Sequence, residues 1–441
     1  MKSCKRSGNK NETAEAAERA VSAFETEYGK MIRKETLKRW IAVLAALTLL
    51  GGGVAMAEFT EEAWYAEAME ECVVSPGNNL RLKNVIQRAR DGETLTLAMV
   101  GGSITEGALA SDYKECWAKR FAKQFARTYG AEEGKYIYLV NAGVGGTSST
   151  FGWMRYSRDV LDRIPEADPD GLPDLVVIEY AVNDWDEATG FRCYESMVKE
   201  ILSQPNQPAV ILLFSVAQRN WNMQTELQKI GARYDLPMVS IKDGIYPHLD
   251  KDYPKADFFA DEYHPNSKGH QMMADAMMRI VQDADAAETS AADVDLSVRP
   301  VYGTDFMNLR TVYGDRETEG ITVERGGFDS TDPNAYKNKP VGLVCGKNFF
   351  HSATSPAEPL KITGTFRKCV IAWKASNEAS FGTAEVLVDG VVKRTLKGGD
   401  GKWGQSEPVL VLDAAEAAEH TVEIRVKEEG KCFTITAISV Q

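Results

Sequence analysis

Five short apolar runs recur between stretches of helical spacing: 94–100 (TLTLAMV), 136–140 (YIYLV), 175–179 (LVVIE), 210–215 (VILLFS) and 238–241 (MVSI). Each is shorter than a buried helix, and together they predict buried strands. Over 115–129, Trp117, Phe121 and Phe125 fall at i, i+4 and i+8 with Ala118, Ala122 and Ala126 beside them, and Gly130 follows. That spacing predicts an amphipathic helix. Strands buried on both faces and separated by helices predict a parallel sheet with helices on each side. In such folds the chemistry sits on loops beyond the carboxyl ends of the strands.

After Ile280 the pattern changes. Residues 283–298 are rich in Ala, Asp and Ser and predict a linker. Beyond them the period becomes two. Val422, Ile424 and Val426 alternate with Thr421, Glu423 and Arg425, Phe433 and Ile435 with Thr434 and Thr436, and Ala384, Val386 and Val388 lead into the turn Asp389-Gly390. A separate all-β domain, a sandwich or jelly roll, is expected over 299–441. At the other end, 41–50 (IAVLAALTLL) follows Arg33, Lys34, Lys38 and Arg39 and precedes Ala55-Met56-Ala57. A basic region, a short apolar run and an A-x-A site predict an export signal within a leader 1–57, with Met31 as its expected start. The predicted location is secreted or cell-surface, the alternative being an uncleaved anchor. The α/β domain is then expected over 58–282.

Composition narrows the function. A chain of 441 residues with 44% apolar and 26% charged residues is of ordinary globular make-up and long enough for two or three domains. Its 51 basic against 64 acidic residues give a net charge of −13. That balance argues against nucleic acid or an anionic membrane surface as partner. Neither C-x-x-C nor H-E-x-x-H occurs, so no metal site is expected, and no G-x-x-x-x-G-K-[ST] phosphate loop is found in residues 58–441. No cofactor is predicted. The cysteines beyond the leader can form disulfides after export, but the sequence does not pair them.

The loops after the strands carry the candidate chemistry. Gly101-Gly102-Ser103 follows the first, Asn141-Ala142-Gly143-Val144-Gly145-Gly146-Thr147 the second and Asn183-Asp184 the third; Asp261 stands three residues before His264. A serine hydroxyl needs a base to become a nucleophile, and His264 oriented by Asp261 supplies one. Ser103 N–H, Gly146 N–H and the Asn183 amide are candidate donors to an oxyanion. Each piece alone has an ordinary reading: a turn, a tight connection, a cap, surface polarity. Their order, placement and chemical completeness point to acyl transfer.

In that order the pieces resemble the four blocks of the SGNH (GDSL-type) hydrolase superfamily, over about residues 75–282. Ser103 matches the block I serine, Gly146 the block II glycine (Gly143 and Gly145 being the alternatives), Asn183 the block III asparagine, and Asp261 with His264 the block V D-x-x-H. The resemblance implies a flavodoxin-like three-layer α/β/α domain with a serine nucleophile and a histidine base. Gly102 departs from the common G-D-S.

The expected function is a serine esterase on small acyl esters, foremost O-acetyl groups on a polysaccharide. The alternatives are a lipase or lysophospholipase, or a non-catalytic glycan-binding protein on a hydrolase scaffold. Trp403, in a glycine-rich loop of the β domain, is the candidate glycan contact, whereas Trp373, inside an apolar strand, reads as buried. His270 and the methionines at 272, 273, 277 and 278 read as helix packing, His420 as exposed before a strand, and Ser148, Ser149 and Thr150 as helix-capping residues.

Overall fold

The computed structural model describes residue 60, residues 62–335 and residues 345–441; the leader, with its candidate signal and Met31, lies outside the described residues. From Ala63 the order is α1 (Ala63–Glu71), β1 (Val73–Ser75), α2 (Leu80–Arg90), β2 (Leu95–Gly101), α3 (Ser103–Glu106), α4 (Trp117–Tyr129), β3 (Ile137–Gly143), α5 (Ser149–Asp159), β4 (Leu175–Glu179), α6 (Arg192–Leu202), β5 (Ala209–Phe214), α7 (Gln224–Arg233), β6 (Met238–Ser240) and α8 (Ser267–Ala286). The sheet runs β1-β6-β5-β4-β2-β3. Five strands are parallel, but β1 pairs antiparallel with β6 at the edge. The expected all-parallel sheet is corrected to that extent. β3 also extends to Gly143, so Asn141, Ala142 and Gly143, read as loop, pair with Met99, Val100 and Gly101.

Helices cover both faces. α5, α6 and α7 pack on one, through Phe151, Met154, Tyr194, Met197, Leu227 and Ile230. α2, α4 and α8 pack together on the other. α4 buries Trp117, Phe121 and Phe125, as its spacing predicts, and α8 buries Met272, Met273, Met277 and Met278. Asn266 starts α8 by accepting from the backbone N–H of Lys268 (2.9 Å) and Gly269 (3.1 Å), which satisfies two donors that the first turn leaves unpaired.

His270 in α8 joins the two helices. Trp117 N–H donates to its Nδ1 at 3.2 Å, so the proton sits on Nε2, 3.3 Å from Ala108 O. Burial disfavours the charged ring and pushes the pKa down to about 4.

Residues past α8 run along the α/β domain before entering the second one. Arg81 pairs with Asp293 at 2.7 Å, and the Glu195 carboxylate accepts from the N–H of Val301 (2.7 Å), Tyr302 (2.6 Å) and Gly303 (2.9 Å). The β domain comprises β7 (Arg310–Val312), β8 (Ile321–Glu324), β9 (Phe349–His351), β10 (Leu360–Ala375), β11 (Thr383–Val388), β12 (Val391–Lys397), β13 (Gln405–Val426) and β14 (Phe433–Val440), all paired antiparallel. The strands form one sheet in the order β12-β11-β13-β10-β14-β7, in which the long strands β10 and β13 pair along most of their length with register shifts near Phe366 and Cys369. Val386, Val422, Ile424, Phe433 and Ile435 fill its core.

β14 departs from simple alternation, being buried on both faces. Its second face belongs to an interface: Val370, Ala372 and Ala437 share one apolar cluster with Phe151, Trp153 and Met154 of α5. Thr311 donates to Met154 O and contacts Ser439 Oγ at 2.7 Å, so the polar groups there are satisfied. Phe306, fully buried, plugs the junction, and its carbonyl accepts from Trp153 Nε1 at 2.8 Å. Arg192, Asp305, Lys368 and Asp413 add an ion-pair network across it. His420 lies inside β13 rather than before a strand, and its ring reaches Asp389 at 2.7 Å, half-buried instead of exposed. Among the described residues, Cys72, Cys116, Cys193, Cys369 and Cys432 are free thiols.

Two outcomes are expected. Phe306→Ala should destabilise the protein by about 3–5 kcal/mol, read by denaturant unfolding, because it opens a cavity where the domains meet. His270, with its folded-state pKa below the unfolded value, contributes stability that is complete above about pH 6.5 and is lost as the pH falls towards 4, on the order of 3 kcal/mol in all. Unfolding measured across that range should have a shallower pH slope in His270→Gln; an unchanged slope would remove His270 as the group responsible.

Candidate active site

The parallel register sets the site. Gly101 at the end of β2 is level with Gly143 at the end of β3 and with Glu179 at the end of β4, so three loops leave the sheet side by side. The first opens into α3 with Ser103 as its first residue. α3 lasts only four residues because Gly107 turns left-handed, its N–H bonding back to Ser103 O at 3.1 Å.

Ser103 Oγ lies 2.8 Å from His264 Nε2. On the other side of the ring, Nδ1 lies 2.8 Å and 3.0 Å from the two carboxylate oxygens of Asp261. A carboxylate only accepts, so Nδ1 carries the proton and the Nε2 lone pair faces the serine hydroxyl. The Asp261–His264 turn is self-organised: Asp261 Oδ1 also accepts from the N–H of Tyr263 (2.8 Å) and His264 (2.7 Å). Partial burial works against the Asp261 charge, but the His264 ring and these two N–H groups outweigh it and hold the carboxyl below its usual range. A hydroxyl, an imidazole and a fixed carboxylate in this order can form and protonate an alkoxide leaving group.

The second and third loops bring the candidate donors. Gly143 N–H is taken by Asn141 Oδ1 and Gly145 N–H by Glu106 Oε2, each at 2.9 Å. That leaves Gly146 as the loop glycine that both lines the cleft and is uncommitted in this way. It adopts φ = +67°, a conformation that favours glycine. Asn183 lies directly over Gly102; any Cβ at 102 would collide with its Oδ1. The departure from G-D-S therefore has a steric reason here: an aspartate at 102 would displace the amide.

Ser103, His264, Gly146 and Asn183 line one cleft of about 650 Å³. Trp403 lines it too, although it belongs to the β domain. A Cβ on Gly146 would stand 2.5 Å from the Trp403 ring, so the indole covers the glycine while 54% of the residue remains exposed. The sequence reading missed four other walls: Trp185, Arg219, Trp221 and Tyr263. Trp185 is 67% exposed and comes two residues after Asn183; Tyr263 precedes His264. Arg219 stacks over Trp221 at 5.1 Å and reaches Tyr263 at 5.9 Å. The signal for Trp185 and Tyr263 was present, since both stand in the loops already singled out.

A second cleft, also about 650 Å³, shares Gly146, Val182, Asn183, Trp185 and Gln405 with the first and continues along β13. Trp373, expected in the core, is half-buried and lines it. Ser148 stands at the N-cap of α5 without a side-chain cap bond, and lines the same cleft.

Residues 99–272 match the family model of the GDSL-like lipase/acylhydrolase family. No curated protein matches the chain. Among solved structures, a two-domain esterase (CEX) active on acetylated mannans is 26% identical, covering 84% of this chain and 98% of its own, with a TM-score of 0.72. A structure of such an esterase co-crystallized with mannopentaose is 26% identical over 84% of this chain and 97% of its own, with a TM-score of 0.70. Over residues 99–272 the chain is thus similar to the GDSL-like lipase/acylhydrolase family, and over most of its length to a two-domain esterase, which supports a carboxylic ester hydrolase with a C-terminal β domain.

Proposed function

We propose that this protein is a secreted serine esterase that removes O-acetyl groups from a polysaccharide. Ser103 Oγ attacks the acetyl carbonyl carbon while His264 Nε2 takes its proton. Gly146 N–H, Ser103 N–H and the Asn183 amide hold the oxyanion of the tetrahedral intermediate. His264 returns the proton to the sugar oxygen as the carbon–oxygen bond breaks, which leaves an acetyl-Ser103 ester. Water then attacks the acyl carbon, with its proton going to His264, and the bond to Ser103 Oγ breaks as His264 returns that proton to Oγ, which frees acetate and restores the serine. Asp261 keeps the imidazole in the required tautomer and stabilises its charged form.

The observation that carries this reading is the Asp261–His264–Ser103 chain of hydrogen bonds opening into a cleft walled by exposed indoles. Flat aromatic faces beside polar groups suit a sugar ring better than an acyl chain. The two-domain esterase that the chain resembles is active on acetylated mannans, which supports the same class of substrate. In this reading residues 58–282 carry the chemistry, 283–298 connect, and 299–441 add Trp403 and the β13 side of the second cleft to the substrate path.

Ser103→Ala should lower kcat on p-nitrophenyl acetate by about 10³-fold or more. A rate equal to wild type would end the proposal. His264→Ala should lower kcat on the same ester about as far as Ser103→Ala does, and a rate near wild type would remove His264 as base. Trp403→Ala should lower kcat/KM for an acetylated polysaccharide roughly 10-fold more than for p-nitrophenyl acetate. Equal losses would mean that the indole only supports the Gly146 loop.

A further inference from the structure

Glu179 ends β4 with its carboxyl fully buried, and the reaction just described does not use it. Its Oε2 accepts from Thr105 Oγ1 at 2.9 Å, its Oε1 accepts from the Ser215 hydroxyl, and its main-chain carbonyl accepts from Gly102 N–H at 3.3 Å. These partners stand on different loops. Gly102 and Thr105 lie on either side of Ser103. Ser215 begins the loop after β5, where its carbonyl accepts from Asn222 at 2.8 Å and Ala217 N–H donates to Trp221 O at 3.0 Å. That loop carries Arg219 and Trp221 to the cleft, and its Gln218 N–H donates to Glu262 O at 2.9 Å, beside Tyr263 and His264. Glu179 itself leads into the Tyr180–Asn183 turn, closed by Asn183 N–H to Tyr180 O at 2.8 Å.

A buried carboxyl is a poor way to gain stability; an apolar side chain of similar volume does as well or better. Burial pushes this one up to about 6, against the hydrogen bonds from Ser215 and Thr105. Asp184, Tyr180 and Tyr194 are the other ionisable groups that feel its charge, and Arg155 reaches Gly101 O and the Tyr180 hydroxyl, each at 3.1 Å. What an apolar residue cannot supply is two acceptor atoms in fixed directions at the point where the loops diverge.

We propose that Glu179 is a positioning residue: through Thr105 it fixes the short helix that presents Ser103, and through Ser215 it fixes the loop that carries Trp221 and braces the Asp261–His264 turn. This rests on the esterase reading. A glutamine retains the geometry, because its amide accepts from one hydroxyl and donates to the other, whereas leucine retains only the volume.

The test compares Glu179→Gln, Glu179→Leu, Thr105→Val, Ser215→Ala and Ser103→Ala on p-nitrophenyl acetate, each checked for folding by circular dichroism. Glu179→Leu should lose kcat by roughly 30-fold or more with KM within about 3-fold, and Glu179→Gln should recover to within about 5-fold of wild type. Thr105→Val and Ser215→Ala should each lower kcat about 3- to 10-fold, and adding either to Glu179→Leu should cost nothing further. Wild-type kcat in Glu179→Leu, or a Gln variant as poor as the Leu variant, would overturn the proposal. If the Leu variant does not fold, wild-type kcat in both Thr105→Val and Ser215→Ala overturns it instead. An active Ser103→Ala would sink the esterase reading itself; an inactive one beside wild-type rates in the other variants sinks only the role of Glu179.

Discussion

Three neighbouring parallel strands end level with one another, and the site depends on that register. With Gly101, Gly143 and Glu179 in one row, the next residues of each strand have nowhere to go but over the same edge. Ser103, Gly146 and Asn183 lie two to four residues past that row. A one-residue slip of either neighbour would turn its side chains to the opposite face and carry its loop away from the others. Slips are resisted because all three strands are buried on the core faces of the sheet, with β2 and β4 buried throughout.

The fourth contributor reaches the site differently. His264 lies far along the chain, in a loop that orders itself. Asp261 accepts from two backbone N–H groups and from the ring, so the carboxylate shapes the turn and sets the tautomer with the same oxygens. Asn266 then starts α8 two residues on, and burial of the α8 methionines fixes that helix, and hence the loop, against α4.

The β domain is part of the site through packing. A cluster shared by α5 and the strands β10 and β14 makes the junction an interior in its own right, and the network of Arg192, Asp305, Lys368 and Asp413 adds direction to it. With the domain seated that way, the loop before β13 brings Trp403 against Gly146. One indole from one domain thus lies on a glycine of the other, in a cleft that neither domain builds alone.

Most of the α/β domain was legible in the sequence, because short apolar runs and i, i+4, i+8 spacings follow from local geometry. Ser103, Gly146, Asn183, Asp261 and His264 were legible as candidates, since each stands just past a strand or in the Asp261–His264 turn. The antiparallel edge strand β1 was not, being three half-buried residues without a pattern. Nor was the burial of both faces of β14: Thr434 and Thr436 look solvent-facing until the surface that covers them is known. The walls at Arg219 and Trp221, and the buried tie from Glu179 to Thr105 and Ser215, were hidden for the same reason. Patterns a few positions long sufficed for most of the elements and for the candidate groups at their ends, because both depend on near neighbours along the chain. Only the tertiary structure decided that the groups meet and that Trp403 joins them, because strand register and domain docking are settled by surfaces assembled from distant parts of the chain.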